Sequence, residues 1–218
     1  MRGIVLEPPT AWQRLQASLI AWLLRLYLKL ARTLYTFAGL RLLVPRGCFP
    51  PNLFSTHALL IESLSRAQGL VADAGTGPGS LGVAVASLRG VEVIATDVCL
   101  RCLRAARLNA LANGVYDRFH PVACDWLAAL RPGSVSVVIA NPPYLPVPKH
   151  TYSDPVSCGS KLEVYIKMLE SCMRALKRGG VLLFTASSLT FRRVAGAKEL
   201  RRVWTGLDHV IVLLYEKK

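Results

Sequence analysis

Acidic residues are the scarcest resource of this 218-residue chain: 13 Asp and Glu stand against 27 Lys and Arg, leaving a net charge of +14. Charged residues of both signs make up only 18% of the chain, whereas 52% is hydrophobic, which excludes a disordered polyelectrolyte. No internal repeat and no low-complexity tract interrupts the sequence. Uninterrupted apolar stretches of membrane-spanning length are also missing, because Arg25, Lys29 and Arg32 break the longest one. A signal peptide is not expected either: the apolar stretch begins too far into the chain, and Glu7 precedes it. Among six cysteines only Cys99 and Cys102 form a C-x-x-C pair, and no second pair stands at zinc-binding spacing. Two small apolar residues three apart at the start of a helix read as core packing, and a reducing cytoplasm is the default setting. The basic excess sits at the ends. Residues 1–46 hold seven bases and one acid, and residues 188–218 hold seven bases and three acids. Such a chain is drawn to RNA, ribosomes or anionic lipid, although charge does not select among them.

What is present divides into two parts. In residues 1–46, Thr10-Ala-Trp-Gln13 reads as a capping box that opens a helix expected to run to Gly39. Arg14, Ser18, Arg25, Lys29, Arg32 and Thr36 follow helical spacing and make one polar stripe on an otherwise apolar helix. This basic amphipathic extension is expected to pack on the rest of the chain. Docking on a partner or RNA, or lying on a membrane surface, are the other readings.

From residue 69 short apolar strands alternate with helical stretches: strands at 70–73, 91–96, 122–124, 135–140, 180–185 and 209–215, helices at 81–88, 101–112 and 161–177. That alternation predicts an α/β, doubly wound, mainly parallel sheet of Rossmann-like type over residues 47–218, with ligands at the carboxyl ends of its strands. Six strands are evident. The expected closing antiparallel pair is visible only as one strand.

The most informative residues are Asn141-Pro142-Pro143-Tyr144, directly after the apolar run 135–140. The prolines remove two backbone donors and fix φ, leaving the Asn141 side-chain oxygen and the Pro142 carbonyl as acceptors beside the Tyr144 ring. Two acceptors and an aromatic face suit a planar NH2 group held still while its nitrogen attacks. Asp73-Ala74-Gly75-Thr76-Gly77-Pro78-Gly79 follows the first strand and opens a helix, with glycines that admit positive φ and close approach of backbone amides. Gly77, Gly79 and Gly82 also fit a dinucleotide fingerprint, with Asp97 twenty residues past Gly77. Three features oppose a nicotinamide enzyme: Asp73 stands where a pyrophosphate charge would go, no second domain carries a substrate, and Asn141–Tyr144 would have no use. A sulfonium cofactor bearing an ammonium group and one ribose accounts for all three. Asp97, with Val98 after it, is assigned to the ribose hydroxyls. Asp125 is assigned to the adenine amine, with Cys124 or Trp126 against the ring. The segment 145–160, with Lys149, His150 and Cys158, is expected to shape substrate entry.

With these residues together, the chain resembles class I S-adenosylmethionine-dependent methyltransferases. More narrowly it is similar to the HemK/PrmC-like group, which methylates the glutamine side-chain nitrogen of a Gly-Gly-Gln motif in peptide release factors. The resemblance runs from about Phe49 to Thr190. It includes Phe49-Pro-Pro51 with Thr56, the Asp73–Gly79 loop, Thr96-Asp97, Asn109 with Asn113-Gly114, Asp125, Asn141–Tyr144, Leu162-Glu-Val164, Lys177–Gly180 and Ser187–Thr190. It implies S-adenosylmethionine as cofactor, a release factor as substrate and a cytoplasmic setting. The last stretch and the chain's size resemble the archaeal and eukaryotic branch, for which a small zinc-binding activator subunit is implied. Where the family carries an acid after the threonine, this chain has His57. The tetrapeptide also serves adenine N6 methyltransferases of RNA and DNA, which stand as the alternative. A binding module that has lost activity is disfavoured by the intact Asp73, Gly75, Gly77, Asp97 and Asn141.

Overall fold

A computed structural model describes residues 9–53, 56–64, 69–190 and 196–218. Glu7 and Pro8, which bear on the reading of the N-terminal segment, lie outside the described residues.

Helix α1 (Ala11–Leu30) opens as its capping residues dictate: Gln13 N donates to Thr10 Oγ1 at 3.2 Å, and Thr10 N donates to Gln13 Oε1 at 2.8 Å. It stops nine residues short of the expected Gly39. The chain instead makes a hairpin of β1 (Leu34–Phe37) and β2 (Leu40–Leu43), so Arg32 and Thr36 do not belong to a helical stripe. Two local preferences explain the correction. Leu34-Tyr-Thr-Phe37 is aromatic and β-branched and alternates, with Tyr35 and Phe37 buried and their neighbours exposed. Ala38 and Gly39 adopt φ of 49° and 79°, the left-handed pair that a two-residue hairpin turn requires.

Among the described residues the main sheet has seven strands: β3 (Val71–Ala74), β4 (Val93–Asp97), β5 (Phe119–Ala123), β6 (Val135–Ala140), β7 (Leu176–Ser187), β8 (Ala197–Trp204) and β9 (His209–Glu216). Their order is β5-β4-β3-β6-β7-β9-β8. The first five of these neighbours run parallel, β9 pairs antiparallel with β7, and β8 antiparallel with β9. The closing antiparallel pair is therefore complete, where only one of its strands was expected. Its outer member escapes recognition because Ala197–Trp204 carries four charged residues on an exposed edge and a register shift between Glu199 and Arg201. Charges and irregularity on an edge strand discourage further pairing, and they also erase the apolar alternation that marks a strand.

Successive residues of the central strands enter opposite cores. Ala72, Val138, Leu182 and Phe184 pack with α1 and α5 (Glu163–Ala175) on one face. Val71, Val137, Ile139 and Leu183 pack with the hairpin, α2 (Thr56–Ser63), α3 (Ser80–Arg89) and α4 (Leu100–Ala112) on the other. Burial on both faces is why these strands read as continuous apolar runs. Helix α1 contributes Ala17, Ile20, Ala21, Leu24 and Leu28 to the first core. Among the described residues no helix is long and apolar enough to cross a membrane.

Two asparagines one turn apart on α4 hold the hairpin. Asn109 Oδ1 accepts from Leu43 N at 2.7 Å and its Nδ2 donates to the Leu43 carbonyl at 2.8 Å; Asn113 engages Arg41 N and O in the same way. The i, i+4 spacing on the helix thus matches the i, i+2 spacing of outward-facing groups on the strand. Asn109 Nδ2 also donates to the Pro78 carbonyl at 2.8 Å, which ties the glycine loop to the same support.

Cys102 is buried, as expected, but it forms a disulfide with Cys48 rather than packing as a thiol. The C-x-x-C spacing concealed this, because the partner lies 54 residues away and is brought close by a turn in which Gly47 N donates to Leu28 O at 2.9 Å. Cys99 remains a free thiol at the N-cap of α4. Closing a loop of this length removes denatured-state entropy worth about 4 kcal/mol. Cys48→Ser is expected to lower unfolding stability by about that amount in denaturant titrations, and reductant should reproduce the loss in the unmutated protein. Equal midpoints with and without reductant would show that the link does not restrain the unfolded chain.

Candidate functional site

A cavity of about 400 Å³ opens at the carboxyl ends of β3, β4 and β6, where the strand order reverses at β3. The strand ends bring most of the sequence candidates to its wall: Gly75, Gly77, Asp97, Val98, Asp125, Trp126 and the whole of Asn141–Tyr144. Asp73, Thr76, Gly79 and Cys124 are not on that wall. The Asp73 carboxylate, expected to meet a cationic ligand, instead faces inward: its Oδ2 accepts from Thr76 Oγ1 at 2.6 Å and from Gly82 N at 2.8 Å. Burial pushes its pKa up to about 7 against those hydrogen bonds, with the charge of Asp97 adding to the rise. Its contribution is to shape the loop. Gly79 is required by packing, since a Cβ there would lie 2.9 Å from that of Ala106. Cys124 turns its thiol to the Trp126 carbonyl at 3.1 Å.

Asp97 is held by backbone amides, Oδ2 by Gly77 N and Oδ1 by Cys99 N, both at 2.8 Å. Burial raises its pKa, offset in part by these amides. Each oxygen retains further acceptor capacity and Asp97 lines the cavity, which suits two vicinal hydroxyls. Trp126 sits in the left-handed region at φ 51° and lays its ring over Gly75, where a Cβ would come within 3.0 Å of the indole. That contact supplies a reason for glycine at 75 and gives the cavity a flat aromatic wall. The residues present therefore fit a nucleoside: an acid for hydroxyls, an aromatic face, glycine amides, and a second acid at the rim.

That second acid is Asp125. Partial burial would raise its pKa, but hydrogen bonds from Lys167 Nζ and from Tyr152 OH hold it below the ordinary carboxylate range. Tyr152 belongs to the segment 145–160, so the interaction spans the cavity mouth. The same segment is fastened from the N-terminal side. Arg25 of α1 makes a 2.7 Å ion pair with buried Asp154 and donates to the Pro148 carbonyl at 3.2 Å, while Leu24 lines the cavity itself. Lys149 lines the mouth with its ammonium 5.0 Å from the Tyr152 ring centre. His150 contributes a backbone amide to Asp154, and Cys158 is wholly buried, its thiol pKa raised by that burial. Nothing short-range in sequence announces Leu24, Arg25 or Asp154 as site residues, because Arg25 and Asp154 are 129 positions apart.

Asn141 is fixed at both ends of its carboxamide. Its Nδ2 donates to Thr56 Oγ1 at 3.2 Å, and its Oδ1 accepts from Thr185 Oγ1 at 2.6 Å. Thr185 is fully buried at the end of β7, next to Asn141 because Ala140 pairs with Phe184. The sequence reading placed Thr185 in a strand without assigning it this role. Tyr144 is largely buried, its carbonyl accepts from Thr190 Oγ1, and its hydroxyl has no hydrogen-bond partner among the described residues. Burial raises its phenol pKa further above the ordinary value, so the ring stays neutral.

His57, beside Thr56, does not reach the cavity. It is buried between Phe37 and Phe49, with ring centres 6.0 and 6.2 Å away, and its Nδ1 has no partner among the described residues. Burial lowers its pKa to about 4, so the imidazole is neutral.

Comparison with known proteins agrees with this geometry. A family model described as Methyltransferase small domain matches residues 51–203, and the chain belongs to that family. Release factor glutamine methyltransferase of Bradyrhizobium diazoefficiens is 38% identical over 105 residues, covering 48% of this chain and 35% of that protein. The protein of the same name from Chlorobaculum tepidum is 31% identical over 170 residues, covering 68% of this chain and 56% of its own length. The chain thus spans only about a third to three fifths of the length of such relatives. Among solved structures, ribosomal protein L11 methylase from Lactobacillus delbrueckii subsp. bulgaricus superposes with a TM-score of 0.57 at 21% identity, over 74% of this chain and 77% of its own. TrmN from Thermus thermophilus gives 0.56 at 22%, over 74% and 48%. These likenesses establish the fold: a class I, Rossmann-like methyltransferase sheet.

The neutral His57 generates a pH prediction. Its folded pKa lies below the unfolded value of about 6.5, so the unfolded chain binds more protons as pH falls from that value toward 4. Stability contributed by the neutral ring is present above pH 6.5 and lost on acidification. His57→Leu is expected to match the unmutated protein near pH 7 within packing differences and to gain on it steadily toward pH 4, reaching about 3 kcal/mol at the acid end. A stability difference between the two that stays constant with pH would overturn the assignment.

Proposed function

We propose that this chain is an S-adenosylmethionine-dependent N-methyltransferase whose target is the glutamine side-chain amide of a Gly-Gly-Gln motif in a translation release factor, acting in the cytoplasm. One observation carries the reaction type: Asn141, clamped by Thr56 and Thr185, stands on the cavity wall with the Pro142 carbonyl and the Tyr144 ring. The names of the sequence relatives support the choice of a protein amide over a nucleobase. The assignment to the archaeal and eukaryotic branch, and with it a small zinc-binding activator subunit, rests on the sequence resemblance alone.

An amide nitrogen is a weak nucleophile because its lone pair is shared with the carbonyl. The Asn141 Oδ1 has one lone pair left after Thr185, and the Pro142 carbonyl offers another acceptor. Together they would take both N–H bonds of the substrate amide, fix its rotation and stabilise positive charge developing on the nitrogen. Pro142 and Pro143 contribute by being unable to donate, so neither of their backbone nitrogens competes for the acceptors. Tyr144 would stack on the amide plane as a neutral ring. Asp97 would hold the ribose hydroxyls, Trp126 and Val98 the adenine, and the Gly75–Gly77 backbone the amino-acid end of the cofactor. When bound, S-adenosylmethionine supplies an electrophilic methyl on a positively charged sulfur. The protein's contribution is position and electrostatics, with acceptors preset before reaction.

Two variants separate the roles. Asn141→Ala is expected to lower kcat by about 10²–10³-fold, by analogy with removal of one preset hydrogen-bonding group, while cofactor affinity in calorimetry stays near that of the unmutated protein. Retained turnover would end the catalytic assignment. Asp97→Ala should do the reverse and weaken cofactor binding by roughly tenfold to a hundredfold, the scale of lost hydrogen bonds to a charged group. Unchanged affinity would remove Asp97 from the ribose site. The substrate is tested with methyl-labelled cofactor in a ribosome-containing extract, split into ribonuclease and protease arms and blanked with Asn141→Ala. Label that survives ribonuclease and migrates with a release factor supports the proposal, whereas label lost to ribonuclease moves the target to an adenine in RNA.

A further inference from the structure

Helix α1 carries more apolar surface than the core covers. Ala17, Ile20, Ala21, Leu24 and Leu28 face inward, yet Trp12, Leu15, Leu19, Trp22, Leu26 and Leu30 are between 44% and 72% exposed. The exposed six repeat at intervals of three and four. At about 100° per residue they centre on the side of the helix opposite the buried stripe and run roughly 27 Å along it. Exposed stripes of this extent mark a binding surface. Ser18 and Lys29 border it on one side, and Gln16, Leu23 and Tyr27 on the other.

We propose that this face seats the protein on the surface of an anionic lipid bilayer. Charge selects the occupant. Helix α1 carries Arg14, Arg25 and Lys29 and no acid, and although Arg25 is paired with Asp154 the helix keeps a net positive charge, with Lys29 beside the stripe. A second copy docking through the same face would bring two such segments together with nothing to neutralise them. A headgroup layer of negative charge over hydrocarbon matches both features: Leu and Trp side chains enter the boundary, and bases meet phosphates. Two tryptophans on one stripe fit that boundary, since an indole is apolar in body and polar at its N–H. The helix is also preformed. Its inner face is anchored in the core and its first turn is capped, so binding does not require a disordered segment to fold. Because Leu24 and Arg25 of α1 reach the cavity and its covering segment, the site would lie about one helix diameter, ~10 Å, behind the lipid surface.

The experiment is flotation of the full chain with vesicles of phosphatidylcholine alone or of equal parts phosphatidylcholine and phosphatidylglycerol. It is read together with the tryptophan emission shift and with light scattering of the lipid-free protein. Binding is expected to the anionic vesicles only, weakened by salt. Leu19→Glu should reduce it by about tenfold or more, since a carboxylate is placed where acyl chains should be, without changing the melting curve of a residue already exposed. Leu88→Glu, an exposed leucine on α3, adds the same charge elsewhere and should bind like the unmutated protein. Equal loss in both variants would reduce the effect to net charge and overturn the proposal. So would absence of binding to either vesicle, or a lipid-free dimer that Leu19→Glu dissociates, which would assign the face to a second copy.

Discussion

A carboxamide can present oxygen or nitrogen in either of two orientations of nearly the same shape, and the site described here depends on that choice being made for Asn141. The choice is made by two hydroxyls. Thr56 directs its proton toward the Leu53 carbonyl at 3.5 Å and therefore accepts from Nδ2, while Thr185 donates to Oδ1. Reversing the amide would require both hydroxyls to turn, and Thr56 to give up its contact with the Leu53 carbonyl. The clamp in turn presupposes distant parts of the fold. Thr185 reaches Asn141 only because β6 and β7 pair with Ala140 opposite Phe184, and Thr56 only because α2 begins where it does. The reacting edge of the wall is thus specified by sheet register before any ligand arrives.

A second constraint joins the cofactor half of the cavity to the N-terminal hairpin. Asn109 has one carboxamide and three partners: the two backbone groups of Leu43 and the carbonyl of Pro78. It lets a helix stand in for a neighbouring strand on β2, and it fixes the outer side of the glycine loop. The inner side is fixed by Asp73, whose carboxylate gathers Thr76 and Gly82. Between these supports Gly75 and Gly77 face the cavity. An acid that sequence logic assigns to a ligand and an asparagine that it merely notes both turn out to shape the loop.

Legibility followed the range of the interactions. The parallel strands, the glycine loop and Asn141–Tyr144 were readable because each is written in contiguous residues with its own period or turn chemistry. Asp97, Asp125, Trp126 and Val98 were readable because strands that alternate with helices deliver their carboxyl ends to one place. What escaped depends on pairs far apart in sequence, such as Cys48 with Cys102, Arg25 with Asp154, or Thr185 with Asn141. The end of α1 was misjudged for another reason. Apolar residues spaced for a helix continue past Leu30, but Leu34–Phe37 also satisfies strand alternation, and Ala38-Gly39 tips the balance by forming the turn. Strand β8 failed to register because an edge must be charged to stay unpaired, which is the opposite of the signal used to find a strand.

The cavity wall carries three of the scarce acids, Asp97, Asp125 and Asp154, beside three bases, Arg101, Lys149 and Lys167. Among the described residues Asp97 has only amide donors as partners, and burial raises its pKa, which means that the folded protein holds this carboxylate at some expense. A ligand bringing hydroxyl donors or positive charge lowers that expense, so the empty-handed acid biases the cavity toward such a ligand. Asp125 is different: Lys167 and Tyr152 already satisfy one oxygen, and those partners belong to a helix and a covering segment that a ligand must pass. One acid waits for the ligand and the other holds the door. The segment that Asp125 holds from one side is held from the other by Arg25, on the helix whose outer face is apolar. Any contact made by that outer face therefore acts on an element already coupled to the mouth of the site, through one ion pair with a buried partner.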